Sequence, residues 1–307
     1  MNSNTSRTTA SSPRQSLLIL AWLVTLLVSF LPNIIWQETT GQQPDWLLWA
    51  KVILLAVLIL LSFISKVIQP LRHYFALVAV LYLATELAQW IDLTPLWQRW
   101  FGGSGSFSVE MLGAQILRLA TALVMIGVLL LLGYRRREFF LAKGELDAPA
   151  EREQWLGMKE PEPWTEFGRS FAIVITLVTL IFLVIAGRPS LRALGQLLPL
   201  LPMVLLLAAM NAFSEEMSYR AALLAPLHNV VGKQHAVFLT AVFFGLGHYY
   251  GVPYGIVGVL LAGFLGWLLG KGMIETRGLL WPWFIHFLQD VLIFSFMAIG
   301  SIVPGGG

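Results

Sequence analysis

Apolar runs of span length alternate with short polar breaks along this chain. Nine stretches, at residues 16–36, 46–65, 74–91, 111–133, 171–187, 193–213, 234–250, 254–270 and 279–301, reach or approach the roughly 20 apolar residues that cross a bilayer as a helix. Gly and Pro interrupt the last four of them. The pattern predicts an all-α fold, a polytopic transmembrane helical bundle of eight to nine spans. One sizeable polar segment, 134–169, separates an N-terminal four-span membrane region (16–133) from a C-terminal region (170–302). A tail at 1–15 and a tail at 303–307 flank them.

Composition supports the same solvent: 57% of residues are hydrophobic and 12% charged, and the mean hydropathy is +0.74. A net charge of +3 is too small to argue for nucleic acid, so the lipid bilayer is the expected partner. The chain has no cysteine, which excludes thiolate metal sites, disulfides and a cysteine nucleophile. Positions of the basic residues carry more than their number. With nine spans, Lys66, Arg72, Arg135, Arg136, Arg137, Lys143, Lys233 and Lys271 share one side, and Arg99, Arg188 and Arg192 lie on the other. Because Lys and Arg are biased to cytoplasmic loops, the N-terminus is expected in the cytoplasm of a multi-pass plasma-membrane protein. The Ser/Thr/Asn-rich tail 1–15 reads as disordered and cytoplasmic. The run behind it is long, carries Trp22 and has no small-residue cleavage site, so an uncleaved first span is expected.

The 134–169 segment reads either as a stretch lying on the cytoplasmic leaflet, with the Arg135–Arg137 cluster beside Phe139, Phe140, Trp155 and Trp164, or as an ordinary solvated connector. In the first half of the chain Glu86 and Arg118 are the ionisable residues inside spans, and they are expected to form a structural pair. Lys51 is expected to snorkel from a helix end. His73, His228 and His235 fit interfacial or loop positions. Pro202, Pro226, Pro253 and Pro282 are expected to start or bend helices and so to open a water-filled cavity.

Charge in the second half is harder to explain by packing. A charged side chain at the bilayer centre costs about 2.5 to 3.5 kcal/mol on insertion scales, which marks such residues as functional candidates. Glu215 and Glu216 are adjacent. Glu216 and Arg220 are four apart and share a helix face, whereas Glu215 is turned about 100° away and is left without that cation. Phe244 and His248 are again four apart, and Gly245 and Gly247 allow a neighbouring helix to come close. His286 and Asp290 repeat the spacing on the last span.

Taken together, Glu-Glu-x-x-x-Arg, Phe-x-x-x-His and His-x-x-x-Asp on successive apolar helices resemble the CAAX protease and bacteriocin-processing (CPBP, or Abi) family of intramembrane endopeptidases, related to the type II CAAX prenyl endopeptidases. The resemblance covers roughly 170–302 and does not extend clearly over the first four spans. It implies hydrolysis of membrane-associated proteins or peptides; the topology puts Glu215 at the cytoplasmic end of the span ending near 213, so the site is expected near the cytoplasmic ends of the last helices. Glu215 is then the base acting on water, and His248 helps to hold that water. His286 and Asp290 face the scissile carbonyl, while Glu216, Arg220 and Phe244 support the site. The eukaryotic CAAX branch carries Asn where this chain has Asp290. A carboxylate cannot donate to an oxyanion, so Asp290 either stays protonated or accepts from His286 and sets its tautomer; the second is preferred. The Asp form and the added spans favour a prokaryotic substrate that is not of the CAAX type.

No cofactor is favoured, but zinc held by Glu215, His248 and His286 is an alternative, since three protein ligands with an open water position make a hydrolytic metal site. A different class, a transporter or scaffold with buried Glu, His and Asp as a proton or ion relay, also fits the composition. Geometry discriminates the two: a protease converges these groups at one place, and a relay strings them across the membrane.

Overall fold

The computed structural model describes residues 13–103 and 105–302, so most of the 1–15 tail and all of the 303–307 tail lie outside the described residues. The elements are helices α1 (Pro13–Val28), α2 (Leu31–Thr40), α3 (Trp46–Ile64), α4 (Arg72–Asp92), α5 (Pro95–Trp100) and α6 (Phe107–Leu131), then a turn-rich segment holding the two-residue strands β1 (Pro149–Ala150) and β2 (Glu162–Pro163). There follow α7 (Trp164–Gly187), α8 (Leu191–Leu197), α9 (Leu201–Glu215), a π-helical turn (Glu216–Ala221), α10 (Ala222–Val231), α11 (Lys233–Leu246), α12 (Ile256–Thr276) and α13 (Leu280–Ile302). Helical segments dominate because a backbone in hydrocarbon must satisfy its own hydrogen bonds.

Among the described residues, seven helical segments are long and apolar enough to cross a membrane, or up to eight if Gln15–Val28 and Leu31–Thr40, bent by 44°, form one span. Nine is not reached, because two of the nine runs fall short. The 16–36 run breaks at Ser29–Phe30. The 234–250 run forms only the 14-residue α11, about 21 Å of helix at 1.5 Å per residue. The 193–213 run does not stop there, but continues through the π-helical turn to Val231 as one 41-residue segment. Glu215 therefore lies inside a continuous helical segment instead of at a helix end. Its partner Arg118 lies near the middle of the 25-residue α6.

Proline acts as expected at the second residue of α9 (Pro202), the third of α13 (Pro282) and inside α10 (Pro226), whereas Pro253 lies in the loop before α12. Four side chains leave their expected places. Lys51 is buried, donating to the Ser29 carbonyl at 2.6 Å and to Asn33 Oδ1 at 2.5 Å, so it ties α3 to the α1–α2 bend instead of reaching for the interface. Phe139, Phe140 and Trp164 are buried as well, and only Trp155 of the four aromatics is exposed.

The 132–163 segment is not a free connector, because it is strapped to the end of α12. Glu145 N–H donates to the Thr276 carbonyl at 2.7 Å, and Leu279 N–H donates to the Ala142 carbonyl at 2.8 Å. Lys271 Nζ donates to the Glu151 carbonyl, Glu153 Oε1 and Glu275 Oε1 at 2.9, 2.9 and 2.6 Å. Trp164 Nε1 donates to Glu275 Oε2 at 2.8 Å. α7 starts at Trp164, seven residues before the apolar run at 171–187.

Candidate active site

Four helices from both halves of the chain bring the ionisable residues together. The π-helical turn matters here, since such turns insert a residue into the helix and are frequent at functional sites. It begins at Glu216 and carries Arg220.

Arg220 Nη1 donates to Glu216 Oε1, and both side chains are 0% exposed. The Phe244 ring covers the guanidinium, with Cζ 4.1 Å from the ring centroid. A cation over an aromatic face is favourable, more so when desolvated. Glu216 has a second partner that its helix could not reveal: His286 Nδ1–H donates to the same Oε1 at 2.7 Å. The other ring nitrogen, Nε2, points at two more carboxylates, lying 3.6 Å from Glu215 Oε2 and 3.7 Å from Asp290 Oδ2. Both separations are longer than hydrogen bonds. Glu216, not Asp290, therefore orients the His286 ring.

Glu215 is not left without a cation. Its Oε1 is 3.2 Å from Arg118 Nη1, which also donates to Asn211 Oδ1 at 2.5 Å. Asn211 Nδ2 in turn donates to Asp290 Oδ2 at 3.0 Å. Arg118 thus pairs with Glu215 across the two halves of the bundle, and the expected Glu86–Arg118 pair is not formed. Arg118 and Asn211 are site residues that the sequence reading missed. Asn211 had a signal, being one helical turn before Glu215 in an otherwise apolar stretch. Arg118 had none beyond being a charge inside a span.

Exposure separates the two adjacent acids. The Glu215 side chain is 16% exposed and that of Arg118 is 52% exposed, against 0% for Glu216. Of the two acids, only Glu215 has any accessible side-chain surface.

His248 stands one residue further out. Its ring meets that of Phe244 at 4.4 Å between centroids, and Phe244 meets His286 at 6.3 Å. Among the described residues no hydrogen bond or ion pair joins His248 to Glu215, His286 or Asp290. Nδ1–H of His248 donates to the Phe244 carbonyl at 2.9 Å, which leaves Nε2 as an acceptor in the neutral ring. The loop that follows is held from the N-terminal half: Tyr254 and Tyr250 hydroxyls donate to Glu38 Oε1 at 2.7 and 3.2 Å. The bond to Glu38 pushes the Tyr254 hydroxyl up to about 12, as a phenol that donates to a carboxylate holds its proton longer.

Gly245 makes the approach expected of it and Gly247 does not. A Cβ at Gly245 would lie 2.7 Å from the Val259 carbonyl oxygen on α12, whereas one at Gly247 would meet only the Phe244 carbonyl of its own turn, at 3.3 Å. Gly245→Ala is accordingly expected to push α11 from α12, lower stability by about 1 to 3 kcal/mol and displace His248. Unfolding in detergent micelles measures the first effect, and a wild-type transition would contradict the close contact.

Among the described residues no group of three or more His, Asp or Glu side chains is arranged to hold a metal ion. In the proposed zinc set, Glu215 is engaged by Arg118 and His248 is not in contact with the other two. An apolar cavity of about 290 Å³ lies between α9, the start of α13 and residues 141–143, lined by Leu141, Lys143, Phe213, Leu280 and Trp283 among others. None of the four residues assigned to the chemistry lines it.

Fold and site thus define a polytopic membrane protein that gathers three carboxylates, two guanidiniums and an imidazole inside its helix bundle. Residues 197–292 match the family model Type II CAAX prenyl endopeptidase Rce1-like; this region, about a third of the chain, is similar to that family. The match lies inside the 170–302 region that carries the three sequence motifs and includes all of their residues. Neither the curated proteins nor the solved structures contain a match to the chain.

Proposed function

We propose that the chain is an intramembrane endopeptidase in which Glu215 activates water. The observation that carries this reading is the contrast between the neighbouring acids: Glu216 is sealed against Arg220 and His286, while Glu215 keeps an accessible carboxylate facing His286 Nε2. Of Glu215, His248 and His286, whose convergence would distinguish a hydrolytic site from a relay, Glu215 and His286 face each other at 3.6 Å and favour the hydrolytic site, while His248 reaches them only through the Phe244 ring.

In the proposed reaction, Glu215 takes a proton from water as the water oxygen bonds to the scissile carbonyl carbon. The carbonyl π electrons move to oxygen. His286 donates Nε2–H to that oxyanion, a stabilisation of the kind that dominates acyl-transfer catalysis. Because Nδ1–H is already given to Glu216, donation from Nε2 requires the imidazolium form, and that charge balances the third carboxylate of the cluster. Collapse breaks the C–N bond, and the proton on Glu215 passes to the departing nitrogen. His248 accepts from the attacking water through Nε2. Asp290, held by Asn211, acts on His286 through its charge.

The residues are read as a metal-free set on the strength of Arg118, since a guanidinium bound to Glu215 competes with a metal for the same carboxylate. Loss of cleavage in a membrane-compatible chelator, with recovery on zinc, would overturn that part alone. The Arg135–Arg137 cluster and Lys143 support placing the 132–163 end of the bundle in the cytoplasm; the plasma membrane is the proposed location, and a membrane protein or peptide the proposed substrate. Comparative membrane proteomics of wild type against Glu215→Ala tests the function: a membrane peptide whose cleavage disappears in the variant is expected, and identical peptide sets would sink the proposal.

A further inference from the structure

We propose that Arg118 is a positioning residue for Glu215, so that helices outside the family-matching segment are part of the catalytic unit. This rests on the reading of Glu215 as the base. Arg118 belongs to α6, and residues 197–292 do not include it.

Three observations carry the inference. First, the Glu215 carboxylate is approached at both ends. Oε1 meets Arg118 Nη1 at 3.2 Å and Oε2 faces His286 Nε2 at 3.6 Å, so rotation about its last bond is restrained. Second, Arg118 is itself anchored. Its Nη1 donates to Asn211 Oδ1 at 2.5 Å, and Asn211 is one turn from Glu215 on the same helix, so both contacts come from one face of α9. Asn211 Nδ2 carries the chain on to Asp290, which joins the base and the acid beside His286 in one hydrogen-bonded row. Third, the cations divide by burial. Arg220 is fully buried and committed to Glu216, whereas Arg118 is 52% exposed beside the accessible acid. A tether between helices has no need of a half-exposed guanidinium at this point, and a carboxylate that must accept a proton and release it does need a fixed orientation.

Lysine cannot reproduce this arrangement. Its ammonium is a compact point charge, while guanidinium presents donors in a rigid planar fork. The test uses the full chain in liposomes with a panel of quenched-fluorescent peptides, one set spanning the bilayer and one ending in a prenylated cysteine motif. Arg118→Ala is expected to lower kcat by about 10- to 100-fold, the scale of a misplacement of about 1 Å, with KM unchanged. Added methylguanidinium, which can reach a half-exposed position, is expected to restore at least part of kcat. Arg118→Lys is expected to keep the fold and lose about 10-fold in kcat.

Wild-type kcat in folded Arg118→Ala overturns the inference. So does a loss that neither methylguanidinium nor Arg118→Lys relieves, which is the signature of a purely structural tether. If Arg118→Ala yields no folded protein, Arg118→Lys decides: reduced kcat at constant KM supports the inference, and wild-type kcat overturns it. Glu215→Gln run in parallel separates the two levels. Retained cleavage there removes the base itself, whereas an inactive Glu215→Gln beside a fully active Arg118 variant removes only the role of Arg118.

Discussion

Glu215→Gln is expected to abolish detectable cleavage in a protein that remains folded. The amide has nearly the shape of the acid, and it can still accept from Arg118 through its oxygen, so the packing of α9 against α6 survives. What it cannot do is take a proton from water. General-base catalysis contributes typically about 10² to 10⁴ in rate, and a loss of that size in kcat is the expected result. The stability change is expected to be small, because the partner Arg118 is half exposed and pairs of that kind contribute about 0 to 1 kcal/mol. Reporter cleavage and thermal unfolding of the same preparation check both halves. Cleavage near the wild-type rate would end the assignment of Glu215 as the base.

Glu216→Gln should behave in the opposite way. Its carboxylate is fully buried and one oxygen, Oε1, serves both Arg220 and His286. Removing the charge leaves a guanidinium sealed in an apolar interior with the Phe244 ring as its remaining cover. Breaking a buried ion pair by removing one partner costs about 3 to 5 kcal/mol, which is a large part of the stability of most proteins. Unfolding of Glu216→Gln in detergent micelles is therefore expected well below the wild-type temperature. Activity per folded molecule also falls, since the amide oxygen can still accept from His286 but no longer carries the charge that strengthens that bond and balances the imidazolium. Equal destabilisation by Glu215→Gln and Glu216→Gln would erase the distinction between the two acids.

The Glu216–Arg220 pair was legible in the sequence because it is local. Four residues bring two side chains to one face of any helix, and the π-helical turn that starts at Glu216 does not undo this. The same locality makes His248 and Phe244 neighbours, and puts His286 and Asp290 on one face. The partners of Glu215 and His286 were not legible. Arg118 is 97 residues from Glu215, and Glu216 is 70 residues from His286; no periodicity connects such pairs. The expected Glu86–Arg118 pair failed for that reason: adjacent helices offer many possible registers, and the interior acid of α9 made a better partner than Glu86 on α4. The assignment of Asp290 as the group that sets the His286 tautomer failed likewise, since a carboxylate on another helix comes closer than the one a turn away.

Hydropathy alone determined that this is a polytopic helical membrane protein, because transfer of a backbone into lipid admits few alternatives, and the order of its short motifs determined the family-like region. It could not determine how many apolar runs become full spans. That depends on where helices break, at Ser29–Phe30 and after the short α11, and where one continues unbroken, through Glu215 to Val231. Nor could it say which cation serves which acid. Only the packing of α6 against α9, and of α13 against the π-helical turn, decided that, since buried charges pair with whatever the tertiary structure brings within reach.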